Sequence, residues 1–250
     1  MSAGDTEVRR ELVAANRILG HEGILDAFGH VSVRHPGNPG HFLLCRARSP
    51  ENVELADVLE FDGDGELAGE AGPIPYVERF IHAGVYEARP DVTAVCHNHA
   101  ISILPFSISR SVRLRATINA SAMFGDGVPV WDIAAEFGDS TDMLVRNMAH
   151  GRSLARALGA GPVVLMRGHG SVVAGNGLRQ VVSRCLDMDR SATAQLAVAT
   201  LGATRSFTAA ELAPHADLPP GATRDDRAWE YLLHRAGLDQ DEERGHGEGR

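Results

Sequence analysis

Two histidines, two residues apart, close an apolar run in the segment TAVCHNHA, residues 93–100. On an extended strand, residues i and i+2 project from one face. His97 and His99 would then stand side by side, with Cys96 and Asn98 on the opposite face. Neutral imidazole is a common ligand for zinc and similar divalent ions. A pair of this kind needs a further nitrogen and a carboxylate to complete a site. The candidates are His169, in the tight turn RGHG between two apolar runs, and Glu78, in the first turn of a helix that leads into the His97 segment. Glycines around His169 would let backbone approach a ligand closely. His82, one helical turn after Glu78, reads as a packing residue or a support behind the site. His21, His35, His41, His150, His215 and His234 read as surface or loop residues. The pair also has a plain reading, two polar residues that end a strand, and spacing by itself does not decide.

The elements that must carry these residues follow from periodicity. Residues 6–27 repeat apolar side chains at helical spacing, from Val8 through Leu12, Ile18 and Leu19 to Leu25. HVSVRHPG alternates and ends in Pro-Gly, which predicts a short strand and a turn; HFLLCRAR and DVLEFDGDGEL read as two more strands. YVERFIHAGVYEARPD reads as a helix that stops before Pro90, and DVTAVCHNHA as a β-branched strand. Residues 139–158 read as a helix with Asp139 or Ser140 at its N-cap. GPVVLMRGHGSVVAG reads as two strands across a glycine corner. A helix over about 177–201 follows, then a Pro-rich connection, APHADLPPGATRDD, and a last short helix, RAWEYLLHRAG. The polar tail, 239–250, is expected to be disordered. Paired strands with helices between the pairs predict an α/β fold, a mixed or antiparallel sheet with helices on both faces.

Composition excludes several chemistries. All 24 basic residues are arginine. Without lysine there is no Schiff-base route through a substrate carbonyl or pyridoxal phosphate, and no P-loop. A net charge of −9 argues against a nucleic-acid partner. No apolar run approaches the roughly 18 residues of a membrane span. The first residues, MSAGDTEVRRELVAA, show no apolar export segment. Three scattered cysteines, Cys45, Cys96 and Cys185, fit a reduced compartment, so a cytoplasmic location is expected.

The order GHVSVR, then ERFIHAGVYEARPDVTAVCHNHA, then LMRGHGSVVAG resembles the class II aldolase/adducin family, over about residues 8–200. That resemblance implies one domain over 1–238 with a three-layer α/β/α arrangement and a central mixed, largely antiparallel sheet. It implies one divalent ion per subunit, held by Glu78, His97, His99 and His169, with zinc, manganese, iron and cobalt equally suited. It also implies a homotetramer with the active site near a subunit boundary. In family aldolases the glutamate serves as base.

The chain departs from the sugar-phosphate members of that family. It has Gly29-His30 where they usually carry Gly-Asn, ARSPENV in place of a Thr-Pro-Ser-Gly-like turn, and Pro75-Tyr76 in place of Ser-Ser. Groups that would grip phosphate are thereby replaced by an imidazole, arginines and a phenol. Arg46 and Arg48 alternate on one strand face and could take a carboxylate bidentately; Tyr76 could flank a flat ring; His30 could exchange a proton near neutral pH. The pattern looks most like the branch that decarboxylates hydroxylated aromatic or pyridine dicarboxylates. A lyase is therefore expected, breaking a C–C bond of a small carboxylic acid through a metal-stabilised enolate or carbanion. Glu78 and His30 would be catalytic, and Gly29, Arg46, Arg48 and Tyr76 would bind substrate. Phe124 is a candidate pocket wall, and Tyr231 a candidate contact to a neighbour's site. The alternatives are an aldolase for a non-phosphorylated hydroxy-keto acid, an iron-dependent oxygenase, and a non-catalytic adducin-like domain.

Overall fold

The structure is a computed structural model that describes residues 3–69, 72–216 and 222–238. Its centre is a seven-stranded sheet. The strands are β1 (His30–Arg34), β2 (Phe42–Cys45), β3 (Val58–Phe61), β4 (Ala94–Asn98), β5 (Val130–Trp131), β6 (Val163–Met166) and β7 (Gly170–Gly175). Their order across the sheet is β3-β2-β1-β4-β7-β6-β5. All neighbouring pairs run antiparallel except β5 and β6, which are parallel. The largely antiparallel mixed sheet expected from the sequence is therefore present.

Alternation along the strands builds two cores, one on each face. Leu43, Ala94, Cys96, Val163 and Leu165 pack with Leu12 and Ile18 of α1 (Ala3–His21) and with Val181 and Cys185 of α6 (Leu178–Val198). Phe42, Leu44, Val95, Val164 and Val172 point the other way, onto Ile81 and Val85 of α2 (Arg79–Ala88) and Leu154 and Leu158 of α5 (Met148–Leu158). The result is three layers. His97 is in step with Val95, so it faces α2, whereas Asn98 faces α6 and sets its amide against the thiols of Cys96 and Cys185.

Helices α2 and α5 cross in close contact. A Cβ on Gly84 would lie 2.4 Å from the Gly151 carbonyl carbon, and one on Gly151 would lie 2.1 Å from the Phe80 carbonyl oxygen. Any larger residue would push the crossing apart, and this crossing seats the start of α2, where Glu78 is the N-cap.

Four expectations are corrected. The first helix ends at His21, because Gly23 takes φ 72° and Ile24 N–H turns back to the Leu19 carbonyl at 2.9 Å; Ile24 and Leu25 stay in the core without being helical. The helix read over 139–158 begins at Met148, with Asn147 as N-cap accepting the His150 N–H. The connection read as irregular is partly helical in α7 (Ala209–Ala216), and α8 (Ala222–Arg235) starts earlier than its apolar residues suggest. Three short elements, α3 (Leu104–Ile108), α4 (Ile133–Phe137) and β5, have too few residues to show a period. The tail over 239–250 lies outside the described residues. No helix is long and apolar enough to cross a membrane.

Candidate active site

The antiparallel register sets His30 of β1 directly opposite His97 of β4, and His97 opposite Val172 of β7. Three strand ends and the start of α2 thus meet at one place. Glu78, His97, His99 and His169 each bring one ligand atom there, and these atoms all lie within 4.8 Å of one another. Glu78 Oε2 is 3.4 Å from both His97 Nε2 and His169 Nε2. His99 Nε2 is 3.0 Å from His97 Nε2.

The tautomers follow from what lies behind each ring. His97 Nδ1 meets the Ser171 carbonyl at 3.1 Å, His169 Nδ1 the Met143 carbonyl at 3.0 Å, and His99 Nδ1 the Asp26 carboxylate at 3.0 Å. Each of these oxygens is an acceptor, so each Nδ1 carries the proton and each Nε2 turns a lone pair inward. Three lone pairs and a carboxylate converging within a few ångströms repel one another unless a cation sits between them. The backing oxygens are the usual partners of metal-bound imidazoles. The donor set therefore fits one divalent ion.

Glu78 is buried, and its other oxygen accepts the Val145 N–H at 2.9 Å. Burial by itself would raise its carboxyl; positive charge at His97 and His169, which a cation held between the bare nitrogens would supply, outweighs that and holds it well below the ordinary carboxylate range. Met143 and Val145 thus support two ligands from one short segment, and Met143 holds φ 68°, the one non-glycine residue with positive φ among the described residues. On the other side, Asp26 also accepts the backbone N–H groups of Phe28 and Gly29, which closes the turn into β1. Gly170 permits the last contact. A Cβ there would lie 2.2 Å from the Asn98 carbonyl oxygen and 2.9 Å from the His99 ring.

His30 is fully buried beside this cluster. Its ring centroid lies 5.3 Å from that of His97 and 4.3 Å from that of Tyr76. Its Nδ1 is 2.7 Å from His82 Nε2, and its Nε2 has no hydrogen bond among the described residues. Burial, then the neighbouring His82 and His97 rings, push its pKa well below the ordinary histidine value, so it is a neutral imidazole.

The remaining predicted residues divide. The Tyr76 ring packs on His30, but its hydroxyl donates to the Arg48 carbonyl and so is committed to backbone. Arg46 and Arg48, expected to alternate along one strand face, lie past the end of β2 at Cys45 and both turn onto the buried Asp57, at 2.5 and 2.7 Å; Arg48 also reaches Glu54. Arg46 engages Asp57 through Nε alone. A Cβ on Gly29 would meet the Leu25 side chain at 2.7 Å and the His97 carbonyl at 3.1 Å, so close packing against β4 demands glycine there. Phe124 is not brought to the cluster: it is buried in the core on the α1/α6 side. Tyr231 lines a separate cleft between α6 and α8 with Asp187, Arg190 and Arg224. Asp26, Met143 and Val145 had no sequence signal as supports, because two of them act through backbone atoms and the third is one of many loop acids.

Residues 10–196 match the family described as Class II Aldolase and Adducin N-terminal domain. A decarboxylase, tropJ, of Talaromyces stipitatus is 34% identical over 206 residues, 78% of this chain and 77% of that protein. The 3,4-dihydroxyphthalate decarboxylase of a Terrabacter species is 29% identical over 95% of this chain and its own whole length. Among solved structures, an aldolase II superfamily protein from Pseudomonas syringae superposes with TM-score 0.80 at 21% identity, covering 94% of both chains. L-fuculose 1-phosphate aldolase from Glaciozyma antarctica gives 0.77 at 23% identity, over 94% and 92%. The structural likenesses speak to the fold.

Proposed function

Because the chain belongs to the class II aldolase and adducin family, we propose that it is a carbon–carbon lyase that decarboxylates a hydroxylated aromatic or heteroaromatic acid and depends on one divalent ion. The single observation that carries this reading is the convergence of three bare imidazole nitrogens and the Glu78 carboxylate within 4.8 Å, next to a neutral buried His30. The decarboxylases at 29–34% identity, one of them named for a dihydroxylated phthalate, support this substrate class.

Glu78, His97, His99 and His169 would hold the ion, which when bound supplies a Lewis acid for oxygens flanking the breaking bond. The protein residues do the rest. His30 takes the proton of a ring hydroxyl and returns it to the ring carbon that loses CO₂. The electron pair of the broken C–C bond stays with the ring, and the hydroxyl is reprotonated from solvent after release. The Tyr76 ring forms one wall for a flat substrate. Arg46, tied to Asp57 through one nitrogen, keeps its terminal N–H groups for a carboxylate; Arg48, whose carbonyl takes the Tyr76 hydroxyl, and Gly29, next to His30, are assigned to the same pocket. Glu78, held ionised by its neighbours, is a ligand here first and a base only in the aldolase alternative.

Chain segments that carry the site also expose Phe28, Ile74, Val77 and Ile101. Apolar side chains beside the site suit a contact with a neighbouring subunit, in keeping with a homotetramer whose neighbour closes the active site. A cytoplasmic location suits three free cysteines. Product analysis separates the two lyase readings. With a dihydroxylated phthalate, CO₂ and the monocarboxylic acid are expected, and chelation stops both. A carbonyl fragment released from a hydroxy-keto acid, with no CO₂ from any aromatic acid, would favour the aldolase instead.

A further inference from the structure

A buried line of polar side chains runs from His30 away from the metal ligands. His30 Nδ1 is 2.7 Å from His82 Nε2, His82 Nδ1 is 2.6 Å from Ser32 Oγ, and Ser32 Oγ is 2.8 Å from the Tyr86 hydroxyl. The Tyr86 hydroxyl ends the line by donating to the Thr93 carbonyl at 3.4 Å. Two spacings build it. His30 and Ser32 lie two apart on β1, and His82 and Tyr86 four apart on α2, so each pair shares one face of its element. All four side chains are buried.

Each link has room for one proton, so the direction of the last link sets every other. The Thr93 carbonyl can only accept. Tyr86 therefore gives it its proton and accepts from Ser32; Ser32 accepts from His82 Nδ1–H; and His82 Nε2 accepts from His30 Nδ1–H. His30 is left with a bare Nε2, the ring nitrogen remote from His82. Apolar side chains of similar size would fill this space without the desolvation cost of about 1–3 kcal/mol that each unsatisfied polar group would incur, so packing alone does not account for a four-membered line with one outlet.

We propose that Ser32, His82 and Tyr86 are positioning residues that lock His30 in its Nδ1–H tautomer and keep Nε2 free to take a proton. The tautomer stands on hydrogen-bond geometry; its use, to receive a substrate hydroxyl proton, rests on the decarboxylase reading above. Tyr86→Phe makes the sharp test. With the outlet gone, Ser32 has only His82 Nδ1 left as acceptor in the line. The direction then reverses and the proton on His30 moves to Nε2.

The measurement is long-range ¹H–¹⁵N correlation on histidine-labelled, zinc-loaded protein, with His30 assigned by the signals lost in His30→Gln. Wild type is expected to show Nδ1 protonated and Nε2 bare. Tyr86→Phe is expected to exchange them and to lower kcat at least tenfold with KM little changed. Wild-type His30 protonated at Nε2 overturns the proposal, as does a folded Tyr86→Phe protein with the wild-type tautomer. Should Tyr86→Phe not fold, Ser32→Ala is expected to give mixed tautomers, Ser32→Thr to restore the single one, and the wild-type spectrum still decides. The spectrum needs no turnover, so it is independent of the decarboxylation assay.

Discussion

The Met143 carbonyl accepts the Nδ1 proton of His169 at 3.0 Å, and Met143 adopts φ 68° to do so. A left-handed conformation costs a side-chain-bearing residue about 1–2 kcal/mol. Here it turns the chain so that the Val145 N–H, two residues on, meets Glu78. Met143→Gly should keep metal affinity, since glycine takes that φ freely. Met143→Val should lose about 1–2 kcal/mol of stability in denaturant titrations and bind metal at least tenfold more weakly. Equal affinities in the two variants would show that the turn does not support the ligands.

Asp26 stands behind His99 as a charged acceptor and caps the turn into β1 at the same time. Removing an outer partner of a metal-bound imidazole typically costs about 10–100-fold in affinity. Asp26→Ala is expected to show a loss of that size in competition with a fluorescent chelator. Asp26→Asn should lose less, because its amide oxygen can still accept.

Acid stability depends on the buried imidazoles. Burial, then the charge environment of His97, lowers the His82 pKa to about 3; His30 is shifted in the same direction. In the unfolded chain both titrate near 6.5. Between about 6.5 and 3 the unfolded state therefore binds protons that the folded state does not. Stability is level above that window and falls as pH drops through it, by about 1.4 kcal/mol per pH unit for each such ring. Urea unfolding of metal-free protein at pH 7.5 and 5.5 should show this loss, and a smaller one in His82→Gln. Identical losses would mean that His82 is not held neutral by the fold.

Gly151→Ala adds one carbon where 2.1 Å separates it from the Phe80 carbonyl oxygen. The expected cost is about 1–3 kcal/mol, read as a lower melting temperature. Because α2 carries Glu78, metal affinity should fall as well. A variant as stable as wild type would refute the tight crossing of α2 on α5.

Much of this was readable from residue types and spacing. The strand with period two placed His97 and His99 on one face, and its register later put His30 beside them. The sheet's largely antiparallel character followed from strands arriving in pairs. Legibility failed where backbone rather than side chain acts. Residues 139–147 read as the start of a helix from the N-cap signal of Asp139 or Ser140, yet the chain there is extended and turned, since Met143 O and Val145 N–H are committed to His169 and Glu78 and cannot also close helical turns. The two-residue β5 has no period to detect. Arg46 and Arg48 read as alternating on one strand face, but β2 ends at Cys45 and both turn onto Asp57, eleven and nine residues away in a 3₁₀ turn, a pairing set by tertiary contact. His82 read as a packing residue or a support behind the site; only the three-dimensional line to Ser32 and Tyr86 separates the two.

The central claim is one ion per chain, on Glu78, His97, His99 and His169, required to release CO₂ from a hydroxylated aromatic acid. The direct measurement is the rate of CO₂ release from 3,4-dihydroxyphthalate as a divalent metal is titrated into chelator-stripped protein. The rate should rise linearly, break at one equivalent per chain, and stay at background in a His97→Ala/His99→Ala protein. Full CO₂ release by stripped protein, or by that double variant, would contradict the account.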